Sequence, residues 1–204
     1  MHRLFAMINV SGEDAAAFLQ GQLTQDLRLL ESSPVLPAAW CNAKGRVVAV
    51  MRVIAVAGDR FALVVPRSSV DALAKRLAMF RLRARVDIAT DNDEWLATAV
   101  HEPDDLARIE SLGLLPEPSR FAARRRDGVA AIELGGARRW IELFGPARAF
   151  EGLRLDLRDE PGNTAWASAL IEAGIPHIEG AAAEKFTAHM LNLDLVGAIS
   201  LGKG

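Results

Sequence analysis

The chain has 204 residues, of which 50% are hydrophobic and 25% charged, and its formal net charge at pH 7 is -2. This is the composition of a globular protein that buries its core as one domain or two packed subdomains. The charge excludes a strong whole-molecule attraction to nucleic acid or anionic membranes, and the single cysteine excludes an internal disulfide.

The N-terminal sequence is not predicted to be a signal peptide. The apolar stretch at the N-terminus is interrupted by Glu13 and Asp14, which makes it too short for a signal peptide. No run reaches the roughly 18 uninterrupted apolar residues of a membrane span. We therefore expect a cytoplasmic protein with neither a membrane nor a nucleic acid as its partner.

The first predicted helix follows Ser11, which has the character of an N-cap, with Asp14 in the capping-box position. Its apolar stripe includes Phe18 and Leu23 and is interrupted by one glutamine. Residues 24–27 then indicate a second cap and a short turn.

A change of hydrophobic period after the helix indicates β-structure. Strands are predicted at residues 38–41 and 46–56, joined by the turn Asn42-Ala-Lys-Gly45. Asparagine at the first position and glycine at the last suit a type I turn. A turn at residues 58–59 leads to a third strand at residues 61–65.

The next segment combines a predicted helix with a basic strand. Ser68 or Ser69 caps a helix that reaches about Met79, with its buried stripe formed by Val70, Leu73, Leu77 and Phe80. Residues 80–86 then alternate strictly, which predicts a strand with Leu82, Ala84 and Val86 on one face and Arg81, Arg83 and Arg85 on the other. Such an arginine row is either a solvated edge that discourages edge-to-edge pairing or a site that binds carboxylates.

The second half repeats strand, turn and helix signals. Strands are predicted near residues 94–101, 130–134 and 139–143, and a helix at residues 164–173, with Gly174 at its C-cap and Pro176 beyond it. Residues 114–119 are the most linker-like piece. Hairpins and helices without regular βα alternation predict an α+β fold rather than a doubly wound sheet.

The C-terminal residues offer a phosphate-loop pattern that fails on inspection. Residues 197–203 match G-x-x-x-x-G-K, whose backbone amides and lysine hold phosphates in other proteins. The pattern next requires Ser or Thr as a magnesium ligand, and Gly204 stands there. A helix should follow the loop, and the sequence ends before one. We therefore assign no nucleotide site.

Three segments together resemble the folate-binding YgfZ-type proteins, relatives of the T-protein (aminomethyltransferase) of the glycine cleavage system. They are residues 10–27 (VSGEDAAAFLQGQLTQDL), residues 39–46 (AWCNAKGR), and residues 191–200 (LNLDLVGAIS) with the following Lys203-Gly204. In that family the last element continues as Lys-Gly-Cys-Tyr-x-Gly-Gln-Glu, and this sequence stops after the first two residues of the signature.

The resemblance implies a fold of two interlocked β-α-β subdomains of the T-protein folate-binding type, with mostly antiparallel sheets and flanking helices. The linker-like piece suggests residues 1–113 as the first subdomain and residues 114–204 as the second. Longer members of the family add a C-terminal β-barrel, which we expect to be absent from this chain.

The resemblance also implies a ligand and a role. The ligand is tetrahydrofolate or a derivative, without a metal, and the role is support of iron–sulfur cluster assembly or repair. The expected partners are a reduced folate and iron–sulfur client proteins or assembly factors.

The T-protein has an aspartate next to the reacting folate nitrogen, early in the strand after the hairpin turn. Here Ala49 or Val50 takes its place, and neither accepts a proton. We expect folate binding without that catalysis. The alternatives are a one-carbon transferase with a relocated catalytic group and a non-catalytic remnant that acts through protein contacts.

The candidate folate-binding residues fall in two groups, with no catalytic residue and no metal ligand assigned. The groups are Trp40, Asn42, Lys44 and Arg46 at the hairpin, and Asn192, Asp194, Lys203 and Gly204 near the C-terminus. The hairpin cations suit a carboxylate and the indole suits a flat heterocycle, while an aspartate and an asparagine suit the N–H donors of a pterin. The alternative roles are a solvated turn and a structural cap.

Three further features remain open or have a structural interpretation. The arginine row at residues 81–85 is a candidate anchor for a folate polyglutamate tail. Cys41 lacks an adjacent base and is interpreted as a structural thiol. The four histidines, His2, His101, His177 and His189, are scattered and show no metal-ligand spacing.

Overall fold

The computed structural model describes residues 5–91, 95–155 and 170–203. Two antiparallel sheets dominate it. The first has the order β2-β3-β4-β1-β5 and contains β1 (Phe5–Ser11), β2 (Val35–Cys41), β3 (Val47–Ala57), β4 (Arg60–Pro66) and β5 (Asp87–Asp91). The second has the order β6-β9-β8-β7 and contains β6 (Trp95–Val100), β7 (Ala123–Arg126), β8 (Val129–Glu133) and β9 (Ile141–Pro146).

The described helices flank the sheets. The α-helices are α1 (Ala15–Gln22), α2 (Val70–Ala78), α3 (Pro103–Ser111) and α4 (Ala147–Glu151). Short 3-10 helices cover Leu27–Glu31, Arg67–Ser69, Gly180–Ala182 and His189–Leu191. The predicted α+β class with mostly antiparallel sheets is confirmed. Among the described residues, no helix is long and apolar enough to cross a lipid bilayer.

The two sheets pack face to face through a shared apolar layer. Met7, Ile54 and Val64 of the first sheet meet Ile132 and Phe144 of the second. The outer face of the first sheet is covered by α1 and α2, and that of the second sheet by α3 and α4. The layers therefore alternate helix, sheet, sheet, helix, and the only sheet-to-sheet interface of the described chain lies at the centre.

The predicted hairpin is confirmed, and its turn geometry explains its sequence. The N–H of Gly45 donates to the Asn42 carbonyl at 2.9 Å, and the N–H of Asn42 donates to the Arg46 carbonyl at 2.8 Å. Gly45 has φ of +71°, a conformation that a residue without a side chain adopts at low cost. The turn residues thus set the register of β2 on β3.

The predicted start of the first helix is wrong in detail. Ser11 is the last residue of β1, and the N-cap position belongs to Asp14, whose side chain makes no capping hydrogen bond. Its carboxylate instead accepts the N–H of Arg85 at 2.8 Å. Tertiary pairing with the loop after α2 therefore takes the side chain that a capping box would have used.

The predicted basic strand at residues 80–86 is also wrong. These residues form turns, and β5 begins only at Asp87. Leu82, expected on the buried face, has φ of +48° and is 89% exposed. Phe80, expected in the buried stripe of α2, is 47% exposed. The register of β5 on β1, which pairs Asp87 with Ser11, leaves the preceding residues beyond the end of β1.

The remaining expectations of the second half have mixed outcomes. The strands predicted near residues 94–101, 130–134 and 139–143 correspond to β6, β8 and β9, although residue 94 lies outside the described part. Of the helix predicted at residues 164–173, only residues 170–173 are described. Gly174 follows with φ of +63°, as a C-cap glycine does.

The expected boundary at positions 113 and 114 falls between α3 and β7. Strand β6 precedes this point and β9 follows it, and the two strands pair along Trp95–Val100. Residues on both sides of the boundary thus contribute to the second sheet. The division into two subdomains at this point stays a prediction.

Candidate functional site

The hairpin residues are held by a segment from the far end of the chain. The N–H of Val47 donates to the Phe186 carbonyl at 2.8 Å, and the N–H of Glu184 donates to the Val47 carbonyl at 2.8 Å. We call residues 178–203 the C-terminal segment. Its apolar residues, which include Leu193 and Val196, pack on Val47 and Val50 of β3.

A carboxylate at the hairpin connects three elements. The Glu184 carboxylate accepts the Asn42 side-chain amide at 2.5 Å and the Arg76 guanidinium at 2.5 Å. These two donors, with Arg76 the larger influence, lower the pKa of Glu184 to about 2. The Asn42 side-chain oxygen accepts the N–H groups of Lys44 at 2.9 Å and Arg46 at 3.0 Å. Asn42 therefore shapes the turn and anchors the C-terminal segment.

The other hairpin candidates differ in their surroundings. Arg46 donates to the carbonyl of Lys185 at 2.7 Å, whereas Lys44 is exposed at the tip. Trp40 is only 4% exposed and lies on the helix-covered face of the first sheet. Its ring meets Phe80 edge-on at 5.7 Å, and the Arg76 guanidinium lies 5.6 Å from the ring centre.

The C-terminal candidates do not form one cluster. Asn192 has φ of +52° and ends the short helix His189–Leu191, and its carbonyl accepts the N–H of Leu195 at 3.0 Å. Asp194 is exposed, 3.7 Å from the His189 imidazole. Both residues have the capping surroundings that were the alternative interpretation, and no described contact joins them to the hairpin.

Lys203 lies closer to the hairpin candidates. It donates to the carbonyl of Leu23, the residue that forms a β-bridge with Trp40. Partial burial lowers the pKa of Lys203, against the opposing effect of the nearby Asp26 carboxylate. Gly204 lies outside the described residues. Lys203 thus holds the end of the C-terminal segment against Leu23, beside the end of β2.

A cleft opens between the two sheets, at a place that the sequence interpretation missed. It measures about 310 Å³ when the part open to solvent is counted, and its free space admits roughly one water molecule. Its walls include Phe5, Val50, Arg52, Glu142, Phe144 and His177. None of the seven predicted binding residues within the described chain lines it.

The polar floor of the cleft is a buried ion pair. Arg52 of β3 donates two hydrogen bonds to the carboxylate of Glu142 in β9, at 2.9 and 3.0 Å. Their side chains are 9% and 1% exposed. Burial raises the pKa of the Glu142 carboxyl, and the charge and hydrogen bonds of Arg52 oppose that rise. A single charged residue in each of two otherwise apolar strands was the sequence signal for this pair.

Strand β3, which carries Arg52, places the two residues at the expected aspartate position, Ala49 and Val50, on opposite faces of the sheet. Val50 lines the cleft, two residues before Arg52 on the same face of β3. Ala49 points to the opposite face and packs with the core under α1 and α2. The residue that faces the cleft at this level is therefore a valine.

The described residues contain no cluster of metal ligands, and the cysteine of the chain is partly buried. Across residues 5–91, 95–155 and 170–203, no group of three or more His, Cys, Asp or Glu side chains could hold a metal ion. Cys41 is half-buried, and burial raises the pKa of its thiol. A raised pKa disfavours the nucleophilic thiolate, in line with a structural thiol.

Comparison with known proteins identifies the relatives of the chain. No family model matches it. It is 28% identical over 203 residues to the tRNA-modifying protein YgfZ of Escherichia fergusonii, of Shigella dysenteriae and of Klebsiella pneumoniae. The alignments cover 98% of this chain and 62% of each relative, so the chain spans about 62% of their length. The predicted YgfZ-type resemblance is confirmed.

Two solved structures share the fold. The aminomethyltransferase T of the Bartonella henselae glycine cleavage system matches with a TM-score of 0.58 and 20% identity, covering 75% of this chain and 44% of that one. The heterotetrameric sarcosine oxidase of Corynebacterium sp. U-96 matches with a TM-score of 0.50 and 13% identity, covering 88% and 85%. The fold of this chain therefore resembles that of the T-protein.

Proposed function

We propose that this protein binds a reduced folate, tetrahydrofolate or a derivative, and does so without the acid–base step of the T-protein. The observation that carries the proposal is the cleft beside β3, where Val50 stands at the level of the expected aspartate and a buried arginine–glutamate pair forms the floor. The similarity to YgfZ proteins along 98% of the chain supports the ligand class.

The chemistry of the cleft suits a pterin ring. A pterin offers adjacent N–H donors, and the Glu142 carboxylate is an acceptor at the base of an apolar slot with Phe5 and Phe144 in its walls. The charge and hydrogen bonds of Arg52 favour the ionised carboxylate, against the burial that raises the pKa of Glu142. Because the free space of the cleft admits about one water molecule, we expect wall side chains such as His177 to rotate when the ring enters.

The hairpin residues proposed from the sequence define a second location for the ligand, although Asn192 and Asp194 make no described contact with them. Lys44 and Arg46 at the hairpin suit the carboxylates of a folate tail, with Trp40, Asn42, Asn192, Asp194, Lys203 and Gly204 completing the two groups. Lys44 is exposed, and its ammonium is the group there that is best placed for a ligand from solution. The two locations make different predictions for mutants.

The cellular role that we propose follows the relatives. The curated YgfZ proteins are named as tRNA-modifying. We propose that a folate-loaded form of this protein supports tRNA-modifying enzymes by helping to assemble or repair their iron–sulfur clusters. Its protein partners would then be iron–sulfur client enzymes or assembly factors.

Calorimetric titration with 5-formyltetrahydrofolate tests the ligand and its location together. We expect saturable binding near micromolar affinity, about -8 kcal/mol. The double variant Arg52→Met/Glu142→Leu removes both charges while keeping side-chain volume. If folate binds in the cleft, this variant should lose folate binding. Lys44→Ala serves as the comparison. If folate binds at the hairpin, Lys44→Ala should lose binding and the double variant should keep it. No binding by a chain shown to be folded would refute the folate proposal.

One observation favours a second candidate, a folate-dependent one-carbon transferase. Glu142 is a carboxylate within the cleft, although not at the position of the T-protein aspartate. If it reaches the reacting nitrogen of the folate, it could take over the proton transfer. Turnover of an aminomethyl donor with tetrahydrofolate that disappears in Glu142→Gln would support this candidate. A folded chain that binds no folate would instead favour the third, a non-catalytic interaction protein.

A further inference from the structure

The turn after α2 presents large apolar side chains to solvent. Met79, Phe80 and Leu82 are 66%, 47% and 89% exposed. Arg81 and Arg83, also exposed, alternate with them. We call these five residues the tip surface. Exposed apolar side chains grouped on one short segment mark interaction sites more often than scattered single ones do.

The backbone at the centre of this surface is in an unfavourable conformation. Leu82 has φ of +48°, in the left-handed region where a leucine side chain is disfavoured and glycine or asparagine is common. Its side chain gains little from packing in return, since it is 89% exposed. Because folding gains little from an apolar residue at such a position, a contact outside the chain explains it better.

The tip surface is held in place by specific contacts. The Arg81 guanidinium donates to the Val86 carbonyl at 3.2 Å, and the N–H of Ala84 donates to the Arg81 carbonyl at 2.8 Å. Phe80 packs edge-on against the buried Trp40, with ring centres 5.7 Å apart. A surface that is ordered before binding loses less entropy when a partner docks.

The charges of this surface indicate the chemistry of the partner. Arg85, next along the chain, is compensated by Glu13 and Asp14. Arg81 and Arg83 add two positive charges around the apolar groups, and no described ion pair offsets them. Methionine, phenylalanine and arginine are also the residue types enriched at protein interfaces.

We infer that the tip surface docks onto another protein through an apolar groove bordered by acidic side chains. Single-stranded RNA fits less well, because one aromatic ring does not make a stacking platform for successive bases. Two arginines on a chain of net charge -2 give a weak attraction to an anionic membrane. A second copy of this chain meeting tip to tip would place arginine against arginine. The inference does not depend on folate binding.

Photo-crosslinking followed by affinity measurement tests this inference. A benzophenone is attached at Ala78→Cys, an exposed position beside the tip surface, in a Cys41→Ala background. The full chain is irradiated in an extract of its own host cells, and the crosslinked protein is identified and purified. A probe at Ile171→Cys, which replaces a side chain 79% exposed outside the tip surface, is the control for non-specific capture.

The purified partner is then titrated with variants. We expect Arg83→Glu and Leu82→Asn each to weaken binding at least tenfold, higher salt to weaken it further, and Ile171→Asn to leave it unchanged. Leu82→Asn should leave the melting temperature equal or higher, because asparagine tolerates the backbone conformation. Crosslinks to nuclease-sensitive material, to lipid or to a second copy, the absence of crosslinks, or a partner indifferent to Arg83→Glu would each overturn the inference.

Discussion

Arg52 and Glu142 join the two sheets through a two-point ion pair, with hydrogen bonds of 2.9 and 3.0 Å across their interface. The pair is nearly excluded from solvent, and it forms the polar floor of the inter-sheet cleft. A charge pair in this position fixes how β3 faces β9 and at the same time supplies the polar groups of the candidate site. Its structural role and its proposed role in ligand binding are separable by mutation.

The single variant Arg52→Met should destabilise the protein strongly. It leaves the Glu142 carboxylate buried without a partner, which typically costs about 3–5 kcal/mol. The double variant Arg52→Met/Glu142→Leu removes both charges, and such replacements are often neutral or stabilising. Urea unfolding of the three proteins measures the difference. A single variant as stable as the double one would contradict a charged pair at this site.

The anchor of the C-terminal segment should depend on acid pH. Arg76 and Asn42 lower the pKa of Glu184 from 4.5 to about 2. A carboxyl whose pKa is depressed by folding stabilises the folded state above its unfolded pKa, and this contribution is lost as pH falls from about 4.5 through 2. We therefore expect the melting temperature of wild type to exceed that of Glu184→Gln at pH 6, and the two melting temperatures to converge as the pH falls towards 2. A difference that persists unchanged at pH 2 would contradict the assignment.

Packing of the C-terminal segment on β3 should depend on Leu193. This residue is fully buried beside Val47 and Val50, so Leu193→Ala creates a cavity and should cost about 2–5 kcal/mol. Leu195, two positions later, is 71% exposed, and Leu195→Ala should change stability by less than about 0.5 kcal/mol. Chemical denaturation compares them. Equal effects of the two substitutions would show that the segment does not pack as described.

Two glycines of the α1 region should respond oppositely to alanine. Gly12 has φ of +124°, and a Cβ there would collide with the Arg85 carbonyl. Gly12→Ala should therefore destabilise by more than about 1 kcal/mol. Gly21 lies within α1, where a Cβ meets nothing within 4 Å, and Gly21→Ala should stabilise by about 0.5–1 kcal/mol. Thermal melts of both variants test whether the Arg85 carbonyl lies as close to Gly12 as described.

The hairpin at Asn42–Arg46 shows where local reasoning works. Asparagine and glycine at its ends meet the conformational needs of one turn, and the alternating apolar residues on either side have no competing partner nearby in sequence. The same applies to Gly174 at a helix end. These signals act within four or five residues, so they survive whatever the rest of the chain does.

The segment at residues 80–86 shows where local reasoning fails. Its alternation of arginines with Phe80, Leu82 and Val86 has the period of a strand, yet a strand also needs a neighbour to pair with. The last residue of β1, Ser11, pairs with Asp87, so the residues before Asp87 have no strand beside them. The Ser11 and Asp14 capping box fails for a related reason, because the N–H of Arg85, far along the chain, competes for the Asp14 carboxylate.

For the candidate site, too, some features follow from neighbouring residues in the sequence and others only from the tertiary structure. Composition, the three motif segments and the period of apolar residues were sufficient for the α+β class, the hairpin and the YgfZ-type resemblance, because each is written in neighbouring residues. The cleft and its ion pair required the assembled sheets. Arg52 and Glu142 are 90 positions apart, and nothing near either residue specifies the other. Their attraction arises only after β3 and β9 are buried face to face, where a low dielectric makes each charge depend on its partner.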